Sequence, residues 1–291
     1  MTTFEYFSAF SGIGGFELGI GKQGTCTGYS EINEDAIQIY KKHFPTHKNY
    51  GDIKKIEPKH LPKFDVFVAG FPCQPFSVAG KRRGFADTRG TLFFDILRIV
   101  RAKRPKYTML ENVKGLFSHD KGNTFSTIIV SLQELGYDVE WVLLNSKFDG
   151  IPQNRQRVFI VGTLRGKEYR PKILPFRKSD KTTNVKHRSI DNNTLYKIVA
   201  DRTRNKAGLG RNLETPKDYT NTLTSTPKDN LVIRVDDTKE VRRLTPIEYE
   251  RLQAFPDNWT SGLSDNKRYM LIGNAVNVST VKALFSQLEP F

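Results

Sequence analysis

The sequence predicts an α/β fold, with a doubly wound, mostly parallel sheet and a second, smaller domain. In the N-terminal half, short runs rich in β-branched and aromatic residues alternate with helical patterns, which is typical of βαβ units on a parallel sheet. After Gly162 this alternation gives way to polar sequence that contains Pro and Gly. Regular structure resumes at Thr245. We therefore predict a main body and a separate small lobe that begins after Gly162.

The expected elements follow from the spacing of apolar residues. The strands are expected at residues 4–10, 26–30, 65–69, 107–111, 138–144, 158–161 and 230–235, and the helices at residues 15–21, 33–44, 91–102 and 124–135. Further along, Thr245, Pro246 and Glu248 form a capping box with Pro at the first helical position, which predicts a helix through residue 254. A last helix, at about residues 275–288, has an apolar face that should pack back on the main body.

The length and composition of the chain argue against several classes of protein. No apolar run in the 291 residues approaches the ~18 residues that span a bilayer, and residues 1–10 show no secretory signal, so we expect a cytoplasmic protein without membrane association. Cys26 and Cys73 are the two cysteines, too few for a disulfide framework, so a special cysteine would be reduced and reactive. The five histidines lack metal-ligand spacing, and we expect no metal.

The net charge of +15 is large, and proteins that bind polyanions commonly carry such a field. Residues 164–243 hold 20 Lys and Arg against 10 Asp and Glu, a net charge of +10. This segment is the candidate polyanion surface. On charge alone, a solvated basic face that only keeps the protein soluble explains the excess equally well.

The first motif is a glycine-rich turn, residues 10–16, between the first strand and the first helix. Glycines at that place let a ligand approach the backbone, and Glu31, after the second strand, stands where an acid can hold ribose hydroxyls. The pattern also fits a nicotinamide enzyme, although Glu17 occupies the position of that fingerprint's third glycine. A tight turn without a ligand is the plainer alternative.

The second motif surrounds Cys73, shortly after the strand expected at residues 65–69. Open α/β sheets place ligands at the carboxyl ends of their strands, and Pro72 and Pro75 hold the cysteine in an irregular turn. Behind it, residues 80–90 are basic and punctuated by glycines, as expected of a loop that closes over a nucleic acid. Most lone cysteines are inert small hydrophobes, and an ordinary solvated loop is the alternative for the basic segment.

Five short motifs, taken in their order along the chain, are specific enough to indicate a protein family. They are Pro72-Cys73-Gln74, Glu111-Asn112-Val113, Gln153-Asn154-Arg155-Gln156-Arg157, Arg243-Leu244-Thr245-Pro246 and Gly273-Asn274-Ala275-Val276. Together they resemble the cytosine-C5 DNA methyltransferases of bacterial and phage restriction-modification systems, and the resemblance covers nearly the whole chain. It implies a Rossmann-like methyltransferase fold that uses S-adenosyl-L-methionine and releases S-adenosyl-L-homocysteine.

The resemblance also implies a set of catalytic roles. Cys73 would add to C6 of a flipped cytosine, which makes C5 reactive toward the methyl group. Glu111 would protonate or hydrogen-bond N3. Arg157 would hold the cytosine O2, with Arg155 supporting it.

For the cofactor, the resemblance assigns residues from four parts of the chain. They are Phe10, Gly12, Ile13, Gly14 and Gly15 on the methionine side, Glu31 on the ribose with Ile32 beside it, Asp52 and Ile53 on the adenine, and Pro72, Leu92, Asn274 and Val276 as lining. Family members often carry Trp where this chain has Ile32, so adenine packing should be weaker here. The catalytic, cofactor-binding domain would therefore comprise residues 1–163 plus 265–291.

Residues 164–264 correspond to the DNA target-recognition domain of the family, and Thr222-Leu223 looks like its recurrent Thr-Leu pair. The resemblance and the basic loop give the candidate DNA-binding residues Gln74, Ser77, Lys81, Arg82, Arg83, Arg89, Thr222 and Leu223. The expected partner is double-stranded DNA with a brief recognition sequence. A cognate restriction endonuclease acting on the same site is a candidate second partner, and we expect a monomer.

Three alternatives remain beside this hypothesis. A tRNA cytosine-C5 methyltransferase shares the architecture and catalytic motifs, but residues 114–125 lack the Cys-Phe-Thr element typical of those enzymes. A catalytically silent DNA-binding homologue would not need Cys73, Glu111 and Arg157 together. A nicotinamide oxidoreductase leaves the same three residues unexplained.

Overall fold

The computed structural model describes residues 3–72, 92–166, 196–199, 220–223, 231–234 and 241–287. For residues 196–199, 221, 232–234 and 241 it describes the backbone alone. Cys73 and the basic loop that follows it lie outside the described residues.

The described chain alternates strands and helices over its first half, as predicted. The strands are β1 Phe4–Ala9, β2 Gly24–Ser30, β3 Val66–Gly70, β4 Tyr107–Val113, β5 Tyr137–Asn145, β6 Gln153–Asn154, β7 Gln156–Leu164, β8 Tyr196–Val199, β9 Thr220–Asn221, β10 Leu231–Arg234 and β11 Val241–Arg243. The α-helices are α1 Gly15–Ile20, α2 Glu34–His43, α3 Leu92–Lys103, α4 Asn123–Glu134, α5 Pro246–Leu252, α6 Asp265–Asn274 and α7 Val278–Phe285.

The main sheet has six strands in the order β2-β1-β3-β4-β7-β5. Strands β2, β1, β3 and β4 run parallel, whereas β7 is antiparallel to both of its neighbours. The reversal follows from the short link of residues 146–155 between β5 and β7, because a parallel return needs a crossover of a dozen or more residues. The predicted α/β class is confirmed, and the sheet is mixed at one edge.

Apolar side chains cover both faces of this sheet. Along β1, Tyr6 belongs to the apolar cluster that includes α1 and α7, while Phe7 belongs to the cluster that includes α3 and α4. The C-terminal helix therefore returns to the main body, as expected. It packs closely on α1, because a Cβ added to Gly19 would lie 2.5 Å from Cγ1 of Val281.

Some boundaries differ from the predicted ones. Helix α7 begins at Val278 rather than near residue 275, because the side chain of Asn277 accepts the backbone N–H of Thr280 as an N-cap. The capping box at Thr245 is present, but α5 ends at Leu252. Helix α6 was not predicted, since its polar and charged first turn, residues 265–268, hides the apolar positions that follow.

The second domain stays a prediction. Within residues 164–264, the structure describes a three-stranded antiparallel sheet in the order β11-β10-β8, and β9 of this segment pairs with β6, which precedes it in the chain. None of the helices in the described ranges combines the length and apolar character needed to cross a bilayer.

Candidate active site

The motifs that carry chemistry collect at one edge of the sheet. Ser11 to Gly15 follow β1, Glu31 follows β2, Phe71 and Pro72 follow β3, and Glu111 lies near the end of β4. Because these four strands are parallel, their carboxyl ends lie along the same edge, where open α/β sheets place ligands.

Glu111 and Arg157 form an ion pair at the junction of β4 and β7. Arg157 Nε lies 3.1 Å from Glu111 Oε1, and the two side chains are only 14% and 12% exposed. The strand register sets this contact, since Arg157 faces Val113, which is two residues beyond Glu111 on β4. Burial lowers the pKa of Arg157, and the charge of Glu111 opposes that shift. Two of the predicted catalytic residues therefore meet.

The chain that enters the Cys73 loop is fixed beside this pair. The Asn112 amide donates a hydrogen bond to the Phe71 carbonyl, with Nδ2 2.9 Å from the oxygen. A Cβ added to Gly70 would lie 3.4 Å from Glu111 Oε2, so the end of β3 passes close to that carboxylate. Asn112 was in a predicted motif but had no role assigned, and its anchoring role depends on a contact across 41 residues.

The turn after β1 is built from left-handed backbone. Phe10, Gly12 and Gly14 have φ angles of 54°, 55° and 88°, a region that glycine enters readily and other residues only at a cost. The Gly14 amide donates to the Ser11 carbonyl across 3.0 Å. A Cβ added to Gly12 would lie more than 4 Å from the other described residues, apart from its two chain neighbours, so the turn has an open side there.

Glu31 is held beside this turn by backbone amides. Its Oε2 accepts a hydrogen bond from Gly12 N over 2.8 Å, and its Oε1 accepts one from Ile32 N and one from Asn33 N, each also 2.8 Å. The carboxylate is thereby fixed in position by main-chain donors. The ends of β1 and β2 thus bring Gly12 and Glu31 together.

The other predicted cofactor residues divide by exposure. Asp52 caps the 3-10 turn Ile53–Lys55 through the Lys54 amide, and Ile53 is buried. Ile32 is 68% exposed, whereas Leu92 is half-buried at the start of α3. The exposed side chain of Ile32 is accessible to a ligand, whereas buried Ile53 could contact one only through its backbone or a small part of its side chain.

Two more of them lie in the protein interior. Ile13 is 1% exposed, and its carbonyl accepts the indole N–H of Trp259 over 2.9 Å. Val276 is buried, and its Cγ1 would lie 2.7 Å from a Cβ on Gly15. Asn274, two residues before Val276, is exposed. The C-terminal segment is therefore packed directly behind the glycine turn, and Trp259 is a supporting residue that sequence reasoning missed.

Arg155, which was predicted to support Arg157, makes its hydrogen bonds to other parts of the chain. Its guanidinium is buried and donates hydrogen bonds to the carbonyls of Gly273, Ala275 and Leu223, at 3.1, 2.7 and 3.4 Å. Burial lowers the pKa of Arg155 to about 9, with a further contribution from the charge of Arg157. These acceptors are backbone groups of distant segments, so no side-chain motif indicated them.

The Thr222-Leu223 pair lies against β6, directly before Arg155. The Thr222 hydroxyl donates to the Asn154 carbonyl over 2.9 Å. Leu223 is 1% exposed and belongs to an apolar cluster with Leu244 and Tyr249. The side chain of Leu223 therefore packs inside the protein, and only its neighbour presents a partly exposed polar group.

The remaining predicted residues cannot be placed. Cys73, Gln74, Ser77, Lys81, Arg82, Arg83 and Arg89 lie outside the described residues. Within the described ranges, no group of three or more His, Cys, Asp or Glu side chains is arranged to hold a metal ion.

Comparison with known proteins gives a family match over most of the chain. The model of C-5 cytosine-specific DNA methylases matches residues 4–231 and 184–290. The type II methyltransferase M1.ScrFI of Lactococcus lactis subsp. cremoris is 41% identical over 98% of this chain and 78% of its own length. M.HpaII of Haemophilus parainfluenzae is 40% identical, with 96% and 87% covered, and M.NlaX of Neisseria lactamica is 38% identical, with 98% and 96% covered.

Solved structures agree on the fold. The Dnmt2 methyltransferase of S. pombe superposes with a TM-score of 0.72, with 97% of both chains covered and 20% sequence identity. A Dnmt2 mutant from Spodoptera frugiperda superposes with a TM-score of 0.70, with 97% and 98% covered and 18% identity. At these identities the likeness concerns the fold alone.

Proposed function

The chain belongs to the C-5 cytosine-specific DNA methylase family and is a sequence-specific DNA cytosine-5 methyltransferase, and from that premise we propose that Cys73 is its nucleophile. The observation that carries the proposal is the Glu111–Arg157 ion pair. It lies beside the anchored residues Phe71 and Pro72, which lead directly into Cys73. The chain therefore enters position 73 from the strand end that carries the charged pair, which supports the proposed role of Cys73.

In the proposed reaction, the Cys73 thiolate adds to C6 of a flipped cytosine and forms a C6–S bond. The electron pair of the C5–C6 double bond then becomes available at C5, while Glu111 donates a proton or a hydrogen bond to N3. Arg157 donates to O2. After C5 has gained the methyl group, a solvent water or hydroxide takes its proton, the C6–S bond breaks to return the thiolate of Cys73, and any proton donated to N3 returns to Glu111.

S-adenosyl-L-methionine, whose use the family implies, supplies an electrophilic methyl group on sulfur when bound. The residues at the ends of β1 and β2 fit this cofactor, because Gly12 has an open side and Glu31 is a fixed carboxylate that can accept ribose hydroxyls. We assign the methionine side to the turn from Phe10 to Gly15 and the adenine to Asp52 and Ile53. Ile32, Pro72, Leu92, Asn274 and Val276 complete the proposed pocket.

Residues 164–264 are proposed to read the DNA. The segment carries most of the excess positive charge, and Lys and Arg side chains there would mostly hold phosphates while a minority reach base edges. From the Cys73 loop, we assign Gln74, Ser77, Lys81, Arg82, Arg83 and Arg89 to the flipped base and its flanking phosphates. Thr222 is the better DNA candidate of its pair, since Leu223 is buried.

The biological setting is proposed from the relatives. Their type II names make a restriction endonuclease with the same recognition site a candidate partner. With cellular DNA as the substrate we propose action in the cytoplasm, and from the family resemblance we propose a monomer. Bisulfite sequencing of plasmid methylated by the enzyme reads the recognition sequence. A brief site agrees with the proposed short recognition domain, and a long site contradicts it.

The decisive experiment compares the two cysteines. Cys73→Ser should lower tritiated methyl transfer to DNA by at least about 10³-fold, because the hydroxyl is a far weaker nucleophile. Cys26→Ser is the matched control. Burial raises the pKa of the Cys26 thiol to about 12, so it is inert and its loss should leave transfer unchanged.

A covalent trap tests the adduct itself. Target DNA that contains 5-fluorocytosine should remain bonded to the wild-type and Cys26→Ser proteins after methylation, since fluorine cannot leave as a proton. The Cys73→Ser protein should form no such adduct. Trapping that persists without Cys73, or fails in the wild type, would refute the proposed nucleophile.

A further inference from the structure

Arg155 joins three segments that are distant in sequence. Both of its terminal nitrogens donate to the Gly273 carbonyl, one of them also to Ala275 and the other to Leu223. The residue itself is 2% exposed. Burying a guanidinium is costly unless its donors are satisfied; here both terminal nitrogens find carbonyl acceptors, while Nε has no hydrogen-bond partner within the described residues.

Each segment at this junction leads to a different part of the proposed site. Gly273 and Ala275 flank Asn274 and precede Val276, the proposed wall of the cofactor pocket. Leu223 follows Thr222, the anchor of the recognition region. Arg157, which pairs with Glu111, lies two residues after Arg155 at the start of β7.

Further contacts hold the segment that leads into β7. The Thr222 hydroxyl donates to the Asn154 carbonyl, and Arg155 N donates to Asn145 Oδ1 of β5 over 3.1 Å. The Gln153 side-chain amide donates to the Leu252 carbonyl at the end of α5 over 3.2 Å. Residues 153–155, which precede Arg157 in the chain, are therefore fixed by Thr222, by β5 and by α5.

We propose that Arg155 is a positioning residue that couples the cofactor site to the DNA site. The inference rests on the proposed function, which assigns Asn274 and Val276 to the cofactor. A bound cofactor orders the 273–276 wall, the wall fixes the carbonyls that hold Arg155, and Arg155 fixes Leu223 and the strand that carries Arg157. Such a shared element makes the two ligands bind cooperatively and reciprocally.

The chemistry of arginine suits this role better than that of lysine. A guanidinium carries five donors in a planar fork, whereas an ammonium is a compact point charge. Lysine at position 155 would keep the positive charge but could not hold Leu223 on one side and Ala275 on the other. Arg155→Lys therefore removes the coupling with the least change in charge.

The test measures the factor by which S-adenosylhomocysteine tightens DNA binding. In the wild type we expect about a tenfold decrease in the Kd for cognate DNA. In Arg155→Lys the factor should fall close to one, while the Kd for S-adenosylhomocysteine alone changes less than about threefold. Arg268→Lys is the control, because Arg268 is also a largely buried arginine, paired with Glu250 and outside this junction, and it should retain the wild-type factor.

A measurement on the wild type alone guards against a misfolded variant. S-adenosylhomocysteine without DNA should slow amide hydrogen exchange at residues 153–157 and 220–223, across the junction. Slowing confined to residues 10–33 and 273–276, a wild-type factor of one, or an unchanged factor in Arg155→Lys would overturn the inference. Methyl transfer by the wild type in those cases would show that the proposed function still holds.

Discussion

The turn after β1 and the paired ends of β4 and β7 lie two strands apart in one sheet, yet they are built from different parts of the chain. The turn is mainly backbone, with left-handed residues and amides that hold Glu31. The strand ends present two charged side chains, Glu111 and Arg157, to each other. The first region therefore depends on conformation and the second on functional groups.

The two regions also differ in the surroundings of a buried carboxylate. Glu111 pairs with Arg157, whereas Glu17, in the first turn of α1, is 3% exposed and neither of its oxygens makes a hydrogen bond of good geometry within the described residues. Burial raises the pKa of Glu17 to about 7, and the nearby hydroxyls of Ser8 and Tyr40 lower it less. One buried acid thus has a cationic partner at the strand ends, whereas burial favours the neutral form of the other beneath the glycine turn.

The largest expected effect is at the strand ends. Glu111→Gln keeps the shape of the side chain but cannot donate the proton that N3 requires, so kcat for methyl transfer should fall by about 10²–10⁴-fold. Binding of DNA and cofactor should persist. Single-turnover transfer of tritiated methyl to DNA measures the loss.

Asp149→Asn is the control for that variant. Asp149 is another partly buried carboxylate, with its pKa raised by burial and its oxygen bonded to the Thr280 hydroxyl, but it lies outside the proposed site. Its replacement should leave kcat near the wild-type value. Equal losses in the two variants would show that removal of any buried carboxylate is responsible, and the proposed role of Glu111 would be lost.

The next effect concerns stability at Glu17. Its folded pKa of about 7 lies above its ordinary value of 4.5, so between these pH values the folded protein keeps a proton that the unfolded chain has released. The stabilising contribution is complete below about pH 4.5 and is lost as pH rises to 7, a change of roughly 3 kcal/mol. Glu17→Gln does not titrate and should not show this loss.

Urea unfolding at several pH values measures that difference. The free energy of unfolding of Glu17→Gln, minus that of the wild type, should increase as pH rises from about 4.5 to 7 and then level off. The groups facing Glu17 are Tyr6 and Ser8 on β1, Cys26 and Tyr29 on β2, and Tyr40 on α2. The pKa values of the tyrosines and of Cys26 are raised well above this range. A difference that does not depend on pH would show that Glu17 is charged in the folded protein.

Much of the fold was predictable because local patterns determine it. Alternating apolar runs located β1 to β5 and the capping box located α5. The reversed direction of β7 was not predicted, since strand direction depends on the length of the preceding link, and the 3-10 turn in that link has no apolar period. Helix α6 was not predicted either, because its first turn is polar.

The candidate site divides in a similar way. Glu111, Arg157 and Glu31 were identified as residues of specific motifs, and the structure brings Glu111 to Arg157 and Glu31 to Gly12. The partners of Arg155 are main-chain carbonyls 68 to 120 residues away, and every residue has such a carbonyl. Sequence patterns record side chains, so contacts to distant backbone leave no signal in them.

The smallest expected effect is that of a glycine substitution in the turn after β1. Gly12 and Gly150 both have positive φ, 55° and 80°, and a Cβ on either would lie more than 4 Å from the other described residues, apart from its chain neighbours. Gly12→Ala and Gly150→Ala should therefore each lower the free energy of unfolding by a similar amount, about 1 kcal/mol. Only Gly12→Ala places a methyl group on the side proposed for the cofactor, so only it should raise the KM for S-adenosylmethionine, by about tenfold for ~1.4 kcal/mol of lost binding. A similar increase in both variants would mean that backbone strain alone weakens the site, and an increase in neither would place the cofactor away from this turn.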